Sequence, residues 1–432
     1  MTTRGWICRI GVCLLAVGLS WNMAEAKTQA VKSVRVGVIG PMKSTDGENM
    51  WRGALMAQEE INKAGGVKQG TAKIKLELVK VDTNEEVSVS DAVLAVERNV
   101  NKADFFVGSK RSESALAMQD VLMKNKKIFI SSGGVHPELC ARVGKDYDRF
   151  KYFFRVILNS AYMGKIMFLH LGDVAKIVKE ELGIEKPKVA ILADKLQWAD
   201  PIVAAVEKNA PNMGLEVVGA WRPSANASDV TAELAAIKEA GAHIIFQAVS
   251  GPVGIALGKQ WGQLEIPAAL IGGNSYGVVK TFYDATGGYG TYMTTQTSVG
   301  PVKITNKTIP FWDSFVKRFN DFPGYTSSSY DAVYILKEAV ERAGTLDSDK
   351  VVEEMEKTDY AGAFGRIVFY PKGHEWAHDV KFGSGFNTWV IVQWKAKDKV
   401  SVVWPYGWEG VTYEGSEKYQ LPPWMVKQLK KK

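Results

Sequence analysis

The chain has 432 residues, 46% hydrophobic and 23% charged, a globular composition with enough apolar content to bury two cores of ordinary domain size. Its formal charge of +7 is scattered apart from the last three lysines, which argues against a nucleic-acid or lipid-surface partner. Beyond the N-terminus no apolar run reaches the roughly 20 residues that span a bilayer.

Residues 1 to 26 read as a secretory signal. Arg4 and Arg9 give a positive start, Gly11 to Trp21 a short apolar run, and Ala24-Glu25-Ala26 a small-x-small cleavage pattern, so the mature chain is expected to begin near Lys27 in the periplasm. Cys13 follows Ile10-Gly11-Val12 and lacks the small residue that a lipoprotein signal places just before its cysteine. Cleavage removes Cys8 and Cys13 and leaves Cys140 alone, so no intramolecular disulfide can form even in an oxidising compartment.

From residue 33 onward short β-rich runs alternate with longer helical patterns, the signature of parallel sheets covered by helices. Val34 to Ile39 reads as the first strand. Thr45-Asp46-Gly47-Glu48 has capping-box spacing, and Met50, Ala54, Leu55, Gln58 and Ile61 recur at helical spacing until Gly65-Gly66. Ile74, Leu76 and Leu78 alternate before Asp82, a helix is expected over Val87 to Val100, and strands over Phe105 to Val107 and Ile128 to Ser131.

A second series follows Tyr152-Phe153-Phe154: a helix over Ala161 to Leu182, then strands at Val189 to Ala193, Ile244 to Ala248 and Ala269 to Ile271. Pro310 to Phe319 and Ser329 to Ala343 read as helices, and Arg366 to Tyr370, Thr388 to Trp394 and Val400 to Trp404 as strands. The remaining tail, 405 to 432, is aromatic and irregular, with Tyr406, Trp408 and Trp424, like the adjoining Trp404, suited to packing on a lobe.

The segment Gly53-Ala-Leu-Met-Ala-Gln-Glu-Glu-Ile-Asn-Lys-Ala-Gly-Gly-Val67 resembles the helix after the first strand in the periplasmic leucine/isoleucine/valine-binding protein family. Asp229 to Gly241 leading into Ile244-Ile245-Phe246, and Ser329 to Gly344, look like two more of that family's helices in the same order. The resemblance runs over roughly residues 33 to 404. It implies an α/β fold of two Rossmann-like doubly wound lobes joined by three crossing segments, with a ligand cleft between them. By position, lobe one is 33 to 155 plus 298 to 372 and lobe two 156 to 297 plus 373 to 404.

The implied function is that of a periplasmic solute-binding protein of an ABC uptake transporter, acting as a monomer without cofactor or catalysis. It captures a small amino acid, carboxylate or amide by hinge closure and presents the closed form to a membrane permease. A ligand-sensing receptor component is the alternative within binding proteins.

In open α/β sheets, ligands sit beyond the carboxyl ends of strands, where helix N-termini offer free N–H groups. Ser109-Lys110-Arg111-Ser112-Glu113-Ser114 is similar to the family's serine-rich carboxylate loop, with Ser112 at the binding serine. Ser132-Gly133-Gly134-Val135 matches a small-residue loop, but Val135 stands where the family commonly has a threonine hydroxyl. In the second lobe Trp198 matches an aromatic wall, Ser250 a second aromatic position, and Asn274 the acid that pairs with an ammonium. Asn274 carries no charge, so ordinary amino-acid recognition is in doubt. Relocated charges are available: Asp46 or Glu113 for an ammonium, Arg111 or Lys110 for a carboxylate.

Two catalytic motifs also occur. His374-Glu375-Trp376-Ala377-His378 fits H-E-x-x-H, yet it follows the turn Tyr370-Pro371-Lys372-Gly373, so a loop rather than the helix that zinc chemistry needs is expected. Gly273-Asn274-Ser275-Tyr276-Gly277 fits the hydrolase G-x-S-x-G, with Asp331 and His374 as nominal partners, but no oxyanion motif precedes it. A secreted zinc or serine hydrolase is therefore the weaker alternative, and Cys140 is expected to be a buried, inert thiol.

Overall fold

A computed structural model describes residues 33–430. The expected signal segment and its cleavage position lie outside the described residues. No helix among the described residues is long and apolar enough to cross a membrane.

Strand β1 (Val34–Gly40) is buried except at Arg35, as a central parallel strand covered on both faces should be. It pairs with β2 (Leu76–Asp82) on one side and β3 (Phe105–Gly108) on the other. Strands β4 (Phe129–Ser131) and β5 (Phe153–Arg155) complete a parallel sheet in the order β2-β1-β3-β4-β5. Helices α1 (Thr45–Lys63), α2 (Val89–Asn99) and α3 (Ser112–Lys124) follow the first three strands.

The capping box expected at Thr45 and Glu48 is not formed. Ser44 is the last extended residue, and its Oγ accepts from the Gly47 N–H at 3.3 Å, while Glu48 turns to Arg52 at 3.3 Å. Thr45 is already helical, so the cap lies one residue earlier.

The second sheet holds β6 (Lys188–Ala193), β7 (Glu216–Trp221), β8 (Ile244–Val249) and β9 (Ala269–Asn274) in the order β9-β8-β6-β7, all parallel. Helices α4 (Ser160–Leu182) and α5 (Val253–Gln263) flank it. Sequence periodicity missed β7 because it is a half-buried edge strand without a dense apolar run.

A small antiparallel sheet, β10 (Thr294–Thr297), β11 (Val390–Ala396) and β12 (Lys399–Trp404), is tied to the second sheet by Thr295 and Asn274. Thr295 Oγ1 accepts from the Asn274 N–H at 2.9 Å and donates to the Asn274 carbonyl at 2.8 Å. Helix α6 (Ser329–Ala343) packs along α1, where Ser329 Oγ donates to the Met50 carbonyl at 2.6 Å. Gly53 permits that approach, since a Cβ there would stand 2.3 Å from the Ser327 carbonyl oxygen.

The tail ends in α7 (Pro423–Leu429), seated on the second lobe. Trp424 meets Trp261 edge-on at 5.0 Å and donates its indole N–H to the Ile266 carbonyl at 3.0 Å.

Candidate ligand site

Strand ends of both sheets and the crossing segments surround a cavity of about 610 Å³, its open mouth included. Arg111, Ser112, Gly133, Val135, Trp198, Ser250 and Asn274, all expected from the sequence, line it, as do Lys110 and Glu113. Gly134 and Asp46 do not line it. Gly134 donates its N–H to Ser131 Oγ at 3.0 Å and gives its carbonyl to Arg155. Asp46 is buried against Lys110 Nζ at 2.5 Å, so it is not a free anion for an ammonium.

The loop after β3 is held from beneath. Ser109 sits in the left-handed region at φ 64°, and the buried Glu85 carboxylate accepts from Ser109 Oγ at 3.0 Å and from the N–H groups of Lys110 and Arg111 at 3.0 and 3.2 Å. Burial pushes the Glu85 carboxyl up to about 7 in spite of those bonds.

Lys110 is equally constrained. Burial disfavours its charge, but Asp46, Tyr325 and Glu86 more than offset that and raise its pKa. Its ammonium lies between Asp46 and Glu86, the latter at 2.7 Å, and therefore is not the free carboxylate partner.

Arg111 differs. Its backbone N–H is anchored on Glu85, whereas its half-buried side chain makes no hydrogen bond or ion pair among the described residues, and Nε is buried without a partner. It stands at the N-terminus of α3, where the first-turn N–H groups have no intrahelical acceptor. Ser112 Oγ accepts from the His136 N–H at 3.2 Å, which leaves its own hydroxyl hydrogen to give. A cation, a helix N-terminus and a hydroxyl thus converge on one corner, the donor set of a carboxylate site.

The opposite wall is apolar and aromatic: Met163 on α4, Trp198 beyond β6, Tyr325 from the turn before α6 and Trp389 just ahead of β11. Two polar groups expected to serve a ligand are instead committed to the fold. Ser250 gives both its N–H and Oγ–H to Asp194 Oδ2, at 2.6 and 3.2 Å. Asn274 donates Nδ2 to the Gly254 carbonyl at 3.0 Å and to Gln247, and its Oδ1 accepts from Tyr276 and Gly277, both at 3.1 Å. It caps the turn after β9 and has no atom left for an ammonium.

Asp194 went unnoticed in the sequence. Burial raises its pKa, countered by the Ser250 bonds and the nearby Arg111 charge, and its Oδ1 is unpartnered. Tyr325, Trp389, Gln296 and Met163 were also missed, because they lie in a helical turn, beside and within the small antiparallel sheet, and on a helix face rather than in loops after parallel strands.

The catalytic motifs do not assemble. His374 to His378 form turns, with His378 at φ 66°, so the two rings are not one helical turn apart. His378 is fully bonded, Nδ1 to the Phe153 carbonyl at 3.0 Å and Nε2 to Glu356 at 2.8 Å, while His374 Nδ1 accepts from the Trp376 N–H. Asp331 accepts the N–H groups of Ala363 and Phe364, each at 2.9 Å, and makes no hydrogen bond to His374. Ser275 lines the cavity without a base. Cys140 is fully buried, and burial drives its thiol pKa well up.

A family model described as periplasmic binding protein matches residues 33–398. The chain therefore belongs to the periplasmic binding protein family and is a solute-binding protein of two α/β lobes. It is 24% identical over 350 residues to the leucine-, isoleucine-, valine-, threonine- and alanine-binding protein of Pseudomonas aeruginosa, covering 80% of this chain and 88% of the relative.

Among solved structures it is similar to a putative branched-chain amino acid ABC transporter protein from Silicibacter pomeroyi. The TM-score is 0.74 and the identity 19%, over 91% of this chain and 100% of that one. It is also similar to an ABC transporter solute-binding protein of R. palustris in complex with benzoate, with TM-score 0.69 and 18% identity, over 86% and 96% of the two chains.

Proposed function

We propose that this protein is the periplasmic solute-capturing component of an ABC uptake transporter and that its ligand is a small carboxylate without an α-ammonium group. It works as a monomer, closing lobe one (33 to 155 plus 298 to 372) on lobe two (156 to 297 plus 373 to 404) and offering the closed form to a membrane permease. Ligand contacts on both lobes favour closure by their differential affinity.

The observation that carries this reading is the contrast between Arg111 and Asn274. Arg111 presents a guanidinium that makes no hydrogen bond or ion pair among the described residues, whereas Asn274, where the family has an acid, is consumed as a turn cap. Among the described lining residues Glu113 is the one acid, and it stands half-buried and shared with the wider groove along Glu85 to Val89, too wet to hold an ammonium strongly. The aromatic wall suits a flat or branched apolar body. That relatives are named for branched-chain amino acids and one neighbour holds benzoate supports a small carboxylate in this family.

Calorimetric titration of the mature protein with leucine, benzoate and pentanoate tests it. The two plain acids should bind and leucine should not, and Arg111→Met should weaken the acids by about a hundredfold, the 2–3 kcal/mol of a charge-assisted hydrogen bond. Tight leucine binding, or indifference to Arg111→Met, overturns it.

A further inference from the structure

Gln296 is on β10, a crossing strand, with its backbone paired to Ile391. Thr295 spends its side chain on Asn274, and strand alternation turns Gln296 to the opposite side, where it lines the ligand cavity. The residue is 5% exposed, yet neither Nε2 nor Oε1 has a hydrogen-bond partner among the described residues. Trp389, 2% exposed and on the same lining, likewise has an unpartnered indole N–H.

A buried polar atom left unpaired costs about 1–3 kcal/mol, so a carboxamide with both ends unmet inside a ligand cavity is a recognition element awaiting its complement. We infer that Gln296 and Trp389 recognise a second, uncharged group on the ligand that both donates and accepts a hydrogen bond, a hydroxyl or a carboxamide. Charge complementarity selects this class. A carboxylate can only accept and leaves Oε1 unmet, and an ammonium can only donate and leaves Nε2 and the Trp389 N–H unmet. A hydroxyl can both donate to and accept from Gln296, and a carboxamide can pair with it reciprocally, each keeping acceptor capacity that a donor such as the Trp389 N–H could use.

The inference rests on the carboxylate reading of Arg111 and narrows it to small acids that carry a hydroxyl or carboxamide away from the carboxylate. A site built to bond such a group discriminates strongly against analogues that lack it, because its own buried groups are then left unpaired.

The test is a titration series of benzoate, 4-methylbenzoate, 4-hydroxybenzoate and 4-carbamoylbenzoate on wild type, Gln296→Leu and Gln296→Met. In the wild type, one or both of the polar acids should bind at least about tenfold tighter than 4-methylbenzoate, and which of them leads tells hydroxyl from carboxamide. In both variants the preference should collapse to within about threefold.

Equal wild-type affinity for 4-methylbenzoate and both polar acids overturns the inference even if the variants fail to fold, and so does a preference that survives in either variant. Failure of all four acids to bind wild type, or an Arg111→Met protein that binds all four unchanged, removes the underlying carboxylate reading instead. The two failures are distinct, since one abolishes selectivity and the other abolishes dependence on the cation.

Discussion

The Arg155 guanidinium and the Asp379 carboxylate, 224 residues apart in sequence, form a fully buried two-pronged pair, Nε to Oδ1 at 2.9 Å and Nη2 to Oδ2. Asn159 adds a third donor to Asp379 at 2.8 Å, and Arg155 Nη1 donates to the Gly134 and His136 carbonyls at 3.3 and 2.9 Å. The pair joins the end of β5 to the 370s segment and fixes the loop that carries Gly133 and Val135 into the ligand cavity.

Removing one partner leaves a buried charge uncompensated, which costs about 3–5 kcal/mol, whereas removing both together costs less than the sum. Asp379→Ala and Arg155→Met should each lower the urea midpoint strongly, and the double variant should recover part of the loss. Additive losses in the double variant refute the coupling.

Acid should weaken the fold through His170. This ring on α4 is buried edge-on to Tyr419 at 5.6 Å with neither nitrogen partnered among the described residues, and burial pushes its pKa down from 6.5 to about 3. The unfolded chain takes up the proton near pH 6.5 and the folded one only near 3. The contribution is therefore complete above that upper value and drains away toward the lower one, by at most about 1.4 kcal/mol per pH unit. Urea midpoints at pH 7, 5.5 and 4 should fall more steeply for wild type than for His170→Phe, and parallel slopes refute this assignment.

Trp424→Ala should release the tail while sparing the ligand site. The indole loses its bond to Ile266 and its contacts with Trp261 and Tyr292, about 2 kcal/mol for a half-buried aromatic. Limited proteolysis should cut near residue 420 in the variant, with ligand affinity unchanged. A parallel drop in affinity connects tail to cleft and contradicts the separation.

Zinc should do nothing specific. His378 has both nitrogens engaged by Phe153 and Glu356, and no group of three ligating side chains gathers among the described residues. Added zinc chloride and dialysis against a chelator should leave the melting temperature and ligand affinity unchanged. A stoichiometric zinc-dependent rise lost in His374→Ala contradicts the loop geometry.

Periodicity made most of the sheet architecture legible, because buried parallel strands such as Ile244–Val249 are continuous apolar runs and their helices repeat at helical spacing. The loop after Phe105–Gly108 and the family resemblance together pointed to Arg111, Ser112 and Trp198, which all line the cavity. What stayed hidden depended on partners far away in the chain. Nothing local to Asp46 announces that Lys110 takes it, and nothing in the Thr-rich run around Gln296 marks a strand that turns Gln296 toward a cavity. Asn274 does line the cavity, but its commitment to a turn became visible only once Gly254, Tyr276 and Gly277 were gathered round it.

Cys140 has a practical corollary. Once the expected leader with Cys8 and Cys13 is gone, the chain holds a single thiol, sealed from solvent and held in its unreactive protonated form. Cysteines introduced at Val87, 81% exposed, and at Asn226 on the facing rim of the groove could therefore be dye-labelled without interference. The distance between the two dyes would then turn this binding protein into an optical reporter of its own ligand.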